Sequence, residues 1–208
     1  MFLRLCVFLT CIYYAVGYTQ EVTFYADYGL QGDALRIRSK HPQLQPCEMR
    51  QIVNMKSYCA IGRWEGYISA NYTDRLEFSH TNNVTTCLNL YFNYYPISSI
   101  RYLGFSETLA PSISIYSGSN DSETGGIERT FTVESANNFG FIPTYLVLTG
   151  GSSWTGFSNE DFTGESTCFS TSELHVGFSP HPRIIRSFLK GCDAKYGSEI
   201  YEAGLNAE

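Results

Sequence analysis

The feature that most constrains this chain is an aromatic–glycine register that returns along it. Tyr25-Ala-Asp-Tyr-Gly-Leu30-Gln-Gly32 sets an aromatic, a large apolar residue five positions on, and a glycine seven positions on. Phe157-Ser-Asn-Glu-Asp-Phe162-Thr-Gly164 repeats this, with Trp154 three residues ahead. Cys59-Ala-Ile-Gly-Arg-Trp64-Glu-Gly66 keeps the spacing with cysteine in the aromatic slot. Tyr116 opens a looser copy whose glycines, Gly125 and Gly126, arrive two or three residues late. Four copies in order predict one supersecondary unit used four times. Physically, each reads as a folded-over hairpin. The aromatic stands on a strand, the later apolar side chain packs back beneath it, and glycine serves where the chain needs positive φ or passes close to the ring.

This register resembles the Greek-key motif of the βγ-crystallins, in which such a hairpin joins the first two of four strands. Motifs begin near Val22, Tyr58, Ile113 and Trp154, so the resemblance covers nearly all of the chain after its first residues. It implies an all-β chain of two tandem Greek-key β-sandwich domains. The expected order is a signal peptide at residues 1–17, a first domain at 18–104, a linker at 105–111, a second domain at 112–192 and a polar tail at 193–208. Sixteen Tyr, fourteen Phe and eighteen Gly favour strands and turns over helices.

Strands are expected at residues 22–25, 35–37, 51–55, 98–102, 113–115, 130–133, 145–148 and 184–188. Alternation of apolar and polar positions, or short apolar runs ended by turn residues, marks them. The run Ser98-Ser-Ile-Arg-Tyr102 has the character with which crystallin domains close their last strand. From Asp193 onward the chain is acidic and unpatterned and is expected to be mobile.

Residues 1–17 read as a secretory signal: Arg4 gives a positive start, Cys6 to Val16 an apolar centre, and Ala15-Val-Gly17 a small-residue cleavage site. The mature protein would begin near Tyr18 and be extracellular. Losing Arg4 moves the formal net charge from −6 to −7. An acidic chain with no basic stripe is a poor partner for nucleic acid. No later segment is long and apolar enough to cross a bilayer as a helix.

An oxidising compartment makes disulfides the default for Cys47, Cys59, Cys87, Cys168 and Cys192. If pairing stays within domains, Cys168 and Cys192 have only each other. One of the three remaining cysteines is left over, either as a free buried thiol or as a link to another chain. Sequons at Asn71, Asn83 and Asn120 predict N-glycosylation of a secreted chain.

The resemblance raises calcium, which many members of that family bind through two Asn/Asp, two variable residues, then Ser/Thr and Ser. Here the corresponding slots read Tyr94-Tyr-Pro-Ile-Ser98-Ser99 and Ser179-Pro-His-Pro-Arg-Ile184, with Pro46-Cys-Glu-Met-Arg-Gln51 in the first motif and an apolar stretch near Phe141 in the third. All depart from the pattern, so no cofactor and no tight calcium site are expected. The residual oxygen donors are Ser98, Ser99, Asn82, Asn83, Asn120 and Asp121.

Catalysis finds no motif: there is no Gly-x-Ser-x-Gly elbow, phosphate loop, zinc helix or dinucleotide fingerprint. His41, His80, His175 and His181 stand in unrelated polar contexts and are expected at the surface. The dense run Tyr91-Phe-Asn-Tyr-Tyr95 is expected to dock the two domains, or to offer a protein or glycan partner an aromatic surface. Two functional classes stay open, and the degraded slots argue against a third, a secreted calcium-binding module. One is a non-catalytic structural or binding protein of the extracellular space. The other is a secreted effector (toxin, antimicrobial or protease inhibitor), with residues 118–126 as its best loop.

Overall fold

The first hairpin forms where the register places it. In the computed structural model, which describes residues 20–90, 96–193 and 199–202, β1 (Glu21–Asp27) and β2 (Gln31–Ile37) pair antiparallel. Gly32 turns at φ +76°, and Leu30, in the apolar slot, also takes a left-handed φ of +64°. The fourth copy repeats this geometry between β10 (Ser153–Phe157) and β11 (Ser166–Ser170), with Gly164 at φ +87° and Phe162 at φ +62°. Phe162 meets the Phe157 ring edge-on at 6.5 Å.

β3 (Ser57–Tyr67) lies between β1 and the long β4 (Leu76–Asn89), and β5 (Ser99–Tyr102) joins the far half of β3 beyond the end of β1. The second copy therefore does not fold over. Cys59, Trp64 and Gly66 all stand on one continuous strand, and the chain reverses later, around the short 3₁₀ turn Ala70–Tyr72. Gly66 is there for packing: a Cβ would stand 2.9 Å from Ile97 Cδ1. Cys59 faces Cys87 across the β3–β4 pair and is bonded to it.

Residues 51–55 are not a strand. Pro46–Val53 form helix α1, with Pro46 at its start and the Glu48 carboxylate accepting from the Gln45 amide at 2.8 Å. Ile52 is the buried residue of this turn and joins Val22, Phe24, Trp64, Phe78 and Ile100 in the first core. Cys47 sits on α1 as an exposed free thiol, which corrects the expectation of a buried one.

The second half is two facing sheets. One runs β12–β9–β6–β7, built from β6 (Ser112–Tyr116), β7 (Glu128–Phe131), β9 (Tyr145–Thr149) and β12 (His175–Phe178). The other runs β14–β11–β10–β13–β8, with β8 (Ser135–Ala136), β13 (Ser187–Lys190) and β14 (Glu199–Glu202). Ile113, Ile115, Leu146 and Leu148 from the first meet Trp154, Phe169 and Phe188 from the second. Alternation turns Tyr116 and Val147 the other way, where they form a separate cluster with Leu103. The β6–β9 sheet is thus buried on both faces.

Two strands are shifted from their expected places. β7 starts two residues earlier, at Glu128, and β13 starts at Ser187 because Ile185 leaves the ladder to pack in the core. Cys168 is bonded to Cys192. The tail is not wholly without structure: β14 adds to the edge of β11 in parallel, with Cys168 opposite Ile200. That pairing is made by backbone, which an acidic sequence does not forbid. Residues 1–17, the expected signal, and Tyr91–Tyr95 lie outside the described residues.

Candidate functional site

The most elaborate chemistry in the molecule is where the two halves meet. On β5 the alternation that sends Ile100 into the first core sends Arg101 toward the second half, opposite Glu65 on β3. Arg101 is completely buried, and rings of Tyr72, Tyr116 and Tyr67 lie 4.2, 4.9 and 5.6 Å from its guanidinium carbon. It donates to the Gly126 carbonyl at 3.0 Å and to the Thr124 carbonyl, and stands 3.9 Å from Glu128 Oε2. Tyr116 donates to Glu128 at 2.9 Å, and Lys40 pairs with the same carboxylate at 2.6 Å. The Tyr67 hydroxyl lies 2.7 Å from Glu65 Oε2, which the Thr124 hydroxyl also reaches. Two cations and two carboxylates thus share one site, the condition under which charge tolerates burial.

A second joint lies beside it. Arg63 donates to the Tyr145 hydroxyl at 2.7 Å and stacks over its ring at 5.2 Å. Gln20 accepts from the Arg63 amide at 2.9 Å and donates to the carbonyls of Leu103 and Phe105. Burial raises the Tyr72 phenol to about 12 and pushes Tyr67 and Tyr116 up as well, so all three stay neutral donors at physiological pH. Burial also lowers Lys40, against which Glu128 holds its charge.

Two of the four histidines are buried, against expectation. His80 packs edge-on against Tyr58, with its Nδ1 3.3 Å from the hydroxyl, and burial lowers its pKa. His175 lies under Gly104 between the halves; burial, and then the Arg63 charge beside it, pulls it down to about 3. Its Nε2 has no hydrogen-bond partner among the described residues.

One opening lies at the junction and another in the second half. The first, of about 520 Å³, has Arg101, Glu128, Lys40 and Asn71 in its lining. The second, also about 520 Å³, lies between loop 119–123 and loop 181–184, with Asp121, Glu123, Ile142, Arg183 and Ile184 on its walls. Carboxylates, a guanidinium and aliphatic surface together suit an amphipathic ligand with hydrogen-bonding groups.

The sequence-derived candidates are scattered. Asn82 and Asn83 stand on β4, whereas Asn120 and Asp121 are on the loop after β6. The Ser99 hydroxyl is committed, donating to the Ser69 carbonyl at 2.6 Å and accepting from the Tyr72 amide at 3.0 Å. Ser98 is held by its backbone to Tyr67 and Leu44. Among the described residues, no group of three or more His, Cys, Asp or Glu could hold a metal ion. Asn71 is exposed in the 3₁₀ turn at φ +57°, and Asn120 is exposed at the groove. Sequence reading missed Arg63, Glu65 and Arg101. Their one signal was charge in a largely uncharged strand: Arg63 and Glu65 together on β3, and Arg101 alone on β5.

This architecture defines a Greek-key β-sandwich of βγ-crystallin type. The structure of Geodin, a beta-gamma crystallin from Geodia cydonium, aligns with a TM-score of 0.57 at 15% identity, covering 83% of this chain and 99% of Geodin. Protein S complexed with calcium covers 83% of this chain and all of its own, but at 10% identity and a TM-score of 0.26, too loose an overlap to carry an argument. No protein-family profile and no curated protein matches the chain.

Proposed function

We propose that the chain is a secreted, non-catalytic protein of the extracellular space, with two βγ-crystallin-like domains (residues 18–104 and 112–192, joined by 105–111) and a structural or binding role. The observation that carries this is the buried Arg101 site, which spends its charges on joining the halves and holds its tyrosines neutral. Two disulfides fit an oxidising compartment. The exposed Cys47 offers a site for a disulfide-linked dimer.

Expression of the full chain in a secreting eukaryotic cell tests the reading. The expected product is found in the medium and starts near Tyr18. Retention in the cytosol with residues 1–17 intact overturns it. The groove beside Asp121 and Glu123 favours a second reading, a secreted effector that engages a protein or glycan there. Inhibition of a protease, or killing of target cells, by the purified protein and its loss on changing Asp121 or Glu123 would select that reading.

A further inference from the structure

Among the described residues β4 is an outer strand, and it is longer than the others. It runs fourteen residues, whereas β2 has seven and β7 and β12 have four each. β2 carries Asp33 and Arg36 and β7 carries Glu128 and Arg129; β4 has no Lys, Arg, Asp, Glu or Pro after Glu77, and β12, equally uncharged, is too short to offer a comparable edge. Its far half exposes Val84 (65%) and Leu88 (51%). A long, uncharged, β-prone edge with outward amides and carbonyls is a template for pairing with another chain.

One break interrupts it. Ala60 pairs with Thr86 and Gly62 with Asn82, so Asn83, Val84 and Thr85 together oppose the single residue Ile61. The bulge is closed locally, with the Val84 amide donating to Asn82 Oδ1 at 3.1 Å. Those three residues are the sequon Asn83-Val-Thr85. We infer that Asn83, half-buried on this bulge beside exposed Val84 and Thr85, is an N-glycosylation site whose glycan guards the β4 edge against strand-to-strand association of copies of the chain. In the transfer, Asn83 Nδ2 forms the bond to the anomeric carbon of a lipid-diphosphate oligosaccharide. The carbon–oxygen bond to the diphosphate breaks, the lipid diphosphate leaves with that electron pair, and the amide gives up one proton. The inference rests on the secretion proposed above. Asn71 and Asn120 supply the internal control.

The experiment uses the full chain secreted from eukaryotic cells, with site occupancy by peptide mass spectrometry and mass by analytical ultracentrifugation. Asn83 is expected to be occupied and the wild type monomeric under reducing conditions mild enough to keep Cys47 free. N83Q and T85A should raise the weight-average mass about two-fold or more at equal concentration, whereas T85S, which keeps the sequon, should not. V84K added to N83Q should restore the monomer by charging the edge. An empty Asn83 beside an occupied Asn71 or Asn120 overturns the inference and leaves secretion standing. So does a glycan-free N83Q, or wild type trimmed by endoglycosidase, that melts like wild type and stays monomeric. A chain that never reaches the medium overturns both.

Discussion

Replacing Arg101 by Met keeps most of its volume and removes its charge and five donors. The carbonyls of Thr124 and Gly126 then lose their buried partner. Glu128 keeps Lys40 and Tyr116 but loses the guanidinium 3.9 Å away, and Glu65 keeps Tyr67 and Thr124. Removing one member of a buried ion pair costs roughly 3–5 kcal/mol, and the three ring contacts lie within that figure because they are not additive with it. The Arg101 Nε has no partner among the described residues, which keeps the expected loss toward the lower end. For a domain of 60–100 residues each kcal/mol moves Tm by roughly 4–8 °C, so a fall beyond about 12 °C is expected.

The assay is urea and thermal unfolding followed by tyrosine and tryptophan signals together. Because Arg101 joins the first half to carbonyls of the second, R101M should also separate one cooperative transition into two. R101K should lose less than R101M but more than half as much, since an ammonium keeps charge without the planar fork that stacks and donates in two directions. A loss under about 1 kcal/mol in R101M, with a single transition retained, would show that the site is not what joins the halves.

Three other outcomes are expected. His175 has a folded pKa near 3 against 6.5 unfolded, so its contribution is fully present above about pH 6.5 and is lost as pH falls toward 3; the slope approaches about 1.4 kcal/mol per pH unit, and H175Q should flatten it relative to wild type in pH-dependent urea titrations. G164A should cost roughly 1–2 kcal/mol through its left-handed backbone, and G156A a comparable roughly 1–3 kcal/mol through overpacking, because a Cβ there stands 2.9 Å from Ile185 and Phe188; equal rescue of both by trimming Ile185 would refute the distinction. Calcium should raise Tm by less than about five degrees between chelator and a few millimolar ion, whereas a micromolar site would add roughly 4 kcal/mol and exceed that.

The two outer hairpins were legible because their constraint is local. A ring, an apolar residue and a glycine within eight positions dictate a backbone shape whatever surrounds them. The same spacing misled at Cys59, where Gly66 is needed by Ile97 and Phe78, residues far along the chain, rather than by a turn. Helix α1 was readable from Pro46 and Glu48, but apolar Ile52 and Met55 suit a strand or one helical face equally well in so short a run. β14 could not be read, since a parallel edge strand is specified by backbone pairing and not by side-chain alternation. The junction was the least legible part. Arg63 and Tyr145 are 82 residues apart, and nothing near either one names the other.

The way the copies depart from the register is itself informative. The first and fourth keep it, down to left-handed Leu30 and Phe162 in equivalent places. The second and third do not, and they supply nearly all of the junction. By running straight through where a fold-over was expected, β3 carries Arg63, Glu65 and Tyr67 along one strand to the second half. By arriving late, the glycines of the third copy lengthen its loop enough to bring the Thr124 and Gly126 carbonyls onto Arg101, and to line the groove with residues 119–123. A repeated unit needs its hairpin only to hold its own corner. Where two units must also recognise each other, the residues that would have made the corner are committed to the contact instead. The loosest copies of a repeat are therefore where its specific interactions should be sought.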